Sequence, residues 1–146
     1  MGYRDLMYKR YHSQHTSQHM GLDARSLQLT EARHFQREWG NLLRGLNRDA
    51  KLLDIGCGNG SLIMALNQLG FDHVQGIDIS EEQIQIARKS GLVDVEVADA
   101  TSFLNGKSGQ FDAVFCMDLV EHLTKSELVA LMLQIRKALK PNGYLS

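Results

Sequence analysis

The nonapeptide Leu52-Leu53-Asp54-Ile55-Gly56-Cys57-Gly58-Asn59-Gly60 limits how this chain can fold more than any other stretch. A short apolar run meets a carboxylate, and three glycines follow at alternating positions. Glycine tolerates the positive φ angles of a tight strand-to-helix turn, and its missing side chain lets a ligand approach the main chain. A buried strand that stops at such a loop predicts an α/β architecture with a nucleotide-like ligand at the strand's carboxyl end.

Strand and helix patterns alternate from there onward. Lys51 to Ile55 reads as a first strand and Ser61 to Leu69 as a helix that Gly70 terminates. His73 to Ile79 is a second strand, and Ser80-Glu81-Glu82-Gln83 is a capping box opening a helix to about Ser90. Val93 to Ala98 alternates as a third strand, and Phe111 to Met117 is the continuous apolar run of a strand covered on both faces. Thr124 to Glu127 repeats the capping signal before a helix through about Leu139. Pro141-Asn142-Gly143 predicts a turn, and Tyr144-Leu145-Ser146 the start of a fifth strand. Upstream, Thr30 to Leu46 is an amphipathic helix with Phe35, Trp39, Leu42, Leu43 and Leu46 on one face. Strict alternation implies right-handed crossovers and a mostly parallel sheet, a Rossmann-like three-layer α/β sandwich.

Composition removes several classes. A 146-residue chain suits one domain, and 43% hydrophobic residues with a net charge of −1 fit a globular core without a general pull toward nucleic acid or anionic membrane. No apolar run approaches the roughly 18 residues of a membrane span, and no signal-peptide core follows the start, so a cytoplasmic location is expected. Cys57 and Cys116 form no CxxC pair and read as reduced packing or loop cysteines.

The glycine spacing narrows the ligand. A dinucleotide fingerprint reads G-x-G-x-x-G and seats a pyrophosphate, whereas this loop reads G-x-G-x-G with Asp54 two residues ahead. A carboxylate there repels phosphate and attracts an ammonium group, which counts against a dinucleotide oxidoreductase. With the acids after the strands counted, the segment resembles the first motif of class I S-adenosylmethionine-dependent methyltransferases, of the small-molecule type that includes ubiquinone and sugar methyltransferases.

That resemblance implies a role for each matching residue. Asp54 lies near the cofactor's ammonium, while the backbone of Gly56, Cys57, Gly58, Asn59 and Gly60 lines its methionine and ribose portions. Asp78, at the end of the second strand, takes both ribose hydroxyls, since a carboxylate offers two acceptor oxygens to a vicinal diol. Ile79 packs on the adenine, Asp99 accepts from its amino group, the Ala100 amide donates to a ring nitrogen, and the carbonyl near Met117 accepts from the ammonium.

Chemistry on the acceptor falls to Asp118-Leu119-Val120-Glu121-His122-Leu123. Relatives with E-x-x-E-H here associate it with a divalent metal and phenol activation; this chain has Asp118 in place of the first glutamate. A helical turn would bring Asp118, Glu121 and His122 to one face as a metal set. The alternatives are His122 as general base beside Glu121, and a Glu-His pair that only braces the loop.

The resemblance also frames the whole chain. Residues 1–50 form an N-terminal helical arm or cap, in which Tyr11 covers the methionine end and His12, His15 and His19 belong to a solvated arm. Residues 51–146 form the cofactor-binding core, incomplete because the family fold continues past a fifth strand. A small-molecule acceptor is expected, for O- or N-methylation, with self-association through an exposed sheet edge. A methyltransferase-like module that binds cofactor or partner without turnover is the alternative function.

Overall fold

The computed structural model describes residues 24–117 and 119–146. In chain order they form α1 (Ala24–Leu43), β1 (Leu52–Ile55), α2 (Ser61–Gln68), β2 (Val74–Asp78), α3 (Glu81–Lys89), β3 (Val95–Val97), α4 (Ala100–Leu104), β4 (Phe111–Phe115), a 3-10 turn (Val120–His122), α5 (Lys125–Ala138) and β5 (Leu139–Leu145). The strands make one sheet in the order β3-β2-β1-β4-β5, and every pairing is parallel.

Central β1 is buried along its whole length. Alternate strand residues point to opposite faces, so Leu52 and Leu53 belong to different cores. Leu52 joins Ile63, Leu66, Phe71, Ile84 and Phe115 under α1, α2 and α3. Leu53 joins Ile55, Ile77, Val114, Leu131 and Ile135 under α4 and α5. The result is the expected three-layer sandwich. The chain moves outward from β1 to β3, then returns to β4 on the other side of β1, so strand order reverses between β1 and β4. The carboxyl ends of the strands at such a reversal are where open α/β sheets take ligands.

Local signals set the element boundaries. Ser80 caps α3 by accepting the Gln83 N–H at 3.4 Å. At α5 the capping box is complete: the Thr124 side chain accepts the Glu127 N–H at 3.3 Å, and Glu127 Oε2 accepts the Thr124 N–H at 2.9 Å. Thr124→Ala should cost about 1 kcal/mol of stability, seen as a melting temperature lower by several degrees. An unchanged melting temperature would mean that packing alone holds this end of the helix.

Four expectations need correction. Among the described residues the amphipathic helix spans Ala24–Leu43, beyond the expected Thr30 on one side and short of Leu46 on the other, with Leu43 buried and Phe35, Trp39 and Leu46 packed on the core; the Leu42 side chain lies outside the described residues. The third strand begins at Val95, and Val93 is exposed. A short helix, α4, follows Asp99 where none was expected. The predicted turn at Pro141 to Gly143 lies inside β5, which starts at Leu139 directly after α5.

Pairing with β4 explains that last difference. Phe111 is opposite Leu139 and Ala113 opposite Tyr144, so Pro141, Asn142 and Gly143 are accommodated in a register shift, with Asn142 at φ 64°. Asp112 pins the region, accepting from Lys140 Nζ and from the Lys51 N–H, each at 2.8 Å. Burial pushes the Asp112 carboxyl up, but those hydrogen bonds and the lysine charges outweigh it and hold the group below its ordinary value. Among the described residues β3 and β5 are the sheet edges, and Tyr144 and Leu145 on β5 are exposed. No helix of the described residues is long and apolar enough to cross a membrane.

Candidate functional site

The glycine loop leaves β1 with Gly56, Gly58 and Gly60 all at positive φ, 76°, 54° and 85°. The Gly56 and Cys57 N–H groups both donate to the Ile77 carbonyl, at 2.8 and 3.0 Å, which ties the loop to the end of β2. Asp78 then bridges two loops. Its Oδ2 accepts the Gly58 N–H and its Oδ1 the Ser80 N–H, each at 2.8 Å. A carboxylate has roughly four lone-pair sites, so this double anchoring fixes the group and still leaves an acceptor position on each oxygen.

The other residues singled out from the sequence lie on or just after β1, β2, β3 and β4. Asp54, on β1 opposite Gly76 and Phe115, is only 2% exposed. Ile79, beside Asp78, is 48% exposed. Asp99 caps α4, its Oδ1 accepting the Ser102 N–H at 3.0 Å, and Ala100 is the first residue of that helix. Met117, partly buried, packs against the core face beneath α1, α2 and α3. The segment after β4 folds over the loop, for a Cβ on Gly56 would lie 3.6 Å from Leu119 Cβ.

Of Asp118, Glu121 and His122, the last two are among the described residues. Asp118 lies outside the described residues, as do Tyr11, His12, His15 and His19. Val120 to His122 is a 3-10 turn, so the α-helical spacing behind the expectation does not apply. Glu121 is exposed, and its Oε1 lies 3.6 Å from Nε2 of the more buried His122. Among the described residues no three His, Cys, Asp or Glu side chains gather to hold a metal ion, so the expected divalent cation finds no ligand set there.

The cysteines behave as packing residues. Burial, reinforced by the charges of Asp54 and Asp78, pushes the Cys57 thiol far above its ordinary range; burial and Asp54 push Cys116 up to about 11. Both stay protonated at neutral pH and are poor nucleophiles.

One contributor was not read from the sequence. A Cβ on Gly76, inside β2, would sit 2.4 Å from Ile63 Cδ1 and 2.9 Å from Cys57 Sγ. Any side chain here would push aside the ends of Ile63 and Cys57, and a glycine inside a strand is itself a signal of close approach.

The sequence from residue 52 to 143 matches the family model described as a methyltransferase domain. The chain is 37% identical over 91 residues to a ubiquinone biosynthesis O-methyltransferase of Bordetella avium, covering 59% of this chain and 37% of that protein. It thus spans less than half the length of the curated relatives it matches. Its structure resembles a SAM-dependent methyltransferase from Archaeoglobus fulgidus, with a TM-score of 0.68 and 28% identity over 83% of this chain and 51% of that one. It also resembles the magnesium protoporphyrin IX methyltransferase of Synechocystis with bound SAM, with a TM-score of 0.57 and 26% identity over 71% of this chain and 52% of that one. On its fold, its glycine loop and these matches, the chain belongs to the class I S-adenosylmethionine-dependent methyltransferase family.

Proposed function

We propose that this chain binds S-adenosylmethionine and takes part in methyl transfer to a small molecule, by O-methylation of a hydroxyl. The carrying observation is Asp78, held by the Gly58 and Ser80 amides behind a loop of three positive-φ glycines. A carboxylate so oriented suits a ribose diol. A bound cofactor of this kind supplies a methyl group on a positively charged sulfur, an already activated donor.

The chain's residues hold and orient it. Exposed Ile79 covers the adenine face, Asp99 Oδ2 accepts from the adenine amino group, and the Ala100 N–H, an orphan donor at the start of a helix, serves a ring nitrogen. Buried Asp54 and the carbonyl of Met117 face the ammonium, and the backbone from Gly56 to Gly60, including Cys57 and Asn59, lines the rest. Such positioning contributes up to ~7–11 kcal/mol in favourable cases. His122, with Glu121 beside it, takes the acceptor's proton. O-methylation is favoured by the printed names of the relatives, which are ubiquinone biosynthesis O-methyltransferases.

The test is Asp78→Ala in titration calorimetry. Affinity for S-adenosylmethionine should fall by about 1.5–3 kcal/mol, the scale of a hydrogen bond to a charged group. Equal affinity in a folded variant would remove Asp78 from the site. A second reading, cofactor binding without turnover, draws support from the exposure of Glu121, 64% at its side chain. Transfer of labelled methyl to a pool of hydroxylated metabolites separates the two.

A further inference from the structure

We infer that Glu31 on α1 is a positioning residue for the glycine loop, so that α1 docking and cofactor binding are coupled. The inference rests on the S-adenosylmethionine reading above. Gly60, the residue before α2, has no side chain to cap the helix. Its work falls to neighbours. The Ser61 N–H donates to Asn59 Oδ1 at 3.2 Å, and the single proton of the Ser61 hydroxyl is shared between two acceptors within reach, Asn59 Oδ1, at 2.6 Å, and Glu31 Oε2. Ser61 is 4% exposed, one of two buried polar residues of the described chain beside Asp54. A buried hydroxyl is costly to leave without acceptors, so Glu31 and Asn59 together hold this corner.

The corner belongs to the site. Asn59 lies between Gly58 and Gly60, both at positive φ, in a stretch whose glycines impose little conformational preference of their own. Side-chain anchors therefore add to the backbone bonds to Ile77 in fixing the loop's shape. Asp78 holds it from the sheet side through the Gly58 amide, and Glu31 holds it from the α1 side, 30 residues away in sequence.

The helix that carries Glu31 has other attachments. Gln36 Nε2 donates to Gln68 Oε1 at 2.7 Å near the far end of α2, Leu43 is buried, and Phe35 and Trp39 pack on the core. Losing the Glu31 contact should free the loop while α1 stays docked. By linkage, whatever α1 contributes to holding the loop for the cofactor, the cofactor returns as tighter docking of α1.

The experiment uses the full chain with Glu31→Ala and Glu31→Gln, read by S-adenosylmethionine titration calorimetry and by hydrogen exchange of the amides from 56 to 61. Glu31→Ala should weaken binding roughly five- to tenfold, the low end of ordinary coupling, and speed exchange in the loop without a matching change in the sheet. Glu31→Gln, which keeps an oxygen for the Ser61 hydroxyl, should restore most of both. Unchanged affinity and exchange in Glu31→Ala, with Asp78→Ala still impaired, would overturn the inference and leave the proposed function standing. So would a glutamine variant as impaired as alanine. If the unaltered chain fails to bind S-adenosylmethionine, the proposed function fails, and loop exchange alone decides whether Glu31 restrains the loop.

Discussion

His122→Ala should lower methyl transfer by about 10²–10⁴, the scale of a lost general acid or base, while leaving cofactor affinity nearly intact. The expectation follows from placement. The 3-10 turn carrying His122 is the first helical element after β4, and the preceding Leu119 lies against Gly56 of the glycine loop. The imidazole is more buried than its Glu121 neighbour, with side-chain exposures of 21% and 64%. Steady-state kinetics with a hydroxylated acceptor, run beside calorimetry, separate chemistry from binding. Unchanged turnover would assign the His122 imidazole to bracing, since the backbone N–H of residue 122, which donates to the Leu119 carbonyl at 3.0 Å, is kept in the variant.

Phe71→Ala should remove about 3–5 kcal/mol of folding stability, the usual cost of deleting a buried aromatic. Phe71 is fully buried in the core beneath α1, α2 and α3, and its N–H donates to the Leu66 carbonyl at 3.1 Å. The Arg48 guanidinium sits 4.8 Å from the ring centroid. Against a typical total of ~5–15 kcal/mol this loss is severe. Arg48→Ala should cost only about 0.5–1 kcal/mol, because an exposed cation over a ring contributes little more. Urea denaturation of both variants gives the comparison; a loss at Phe71 no larger than at Arg48 would mean that the core closes over the gap.

Much of this architecture was legible before any coordinates, for physical reasons that differ from place to place. β1 and its loop were readable because an apolar run, an acid and alternating glycines admit few other backbones. α5 was readable because Thr124 and Glu127 are three residues apart, the one spacing at which each side chain can reach the other's N–H. The same logic failed at Asp99, read only as a ligand to adenine, although its short carboxylate also caps α4. It failed again at Pro141, where a local turn preference lost to pairing with β4 and to the Lys140 to Asp112 contact.

The sequence alone determined the local elements that depend on neighbours a few residues apart: the parallel α/β class, the glycine loop and the acids at the ends of the second, third and fourth strands. Tertiary structure decided what depends on residues far apart in the chain. It chose the strand order that puts β1 between β2 and β4 and made Gly76 the seat of Cys57 and Ile63. It brought Glu31 to Ser61 and made Val120 to His122 a 3-10 turn instead of an α-helical one. No periodicity encodes these contacts, because each arises only when two separately formed elements pack together.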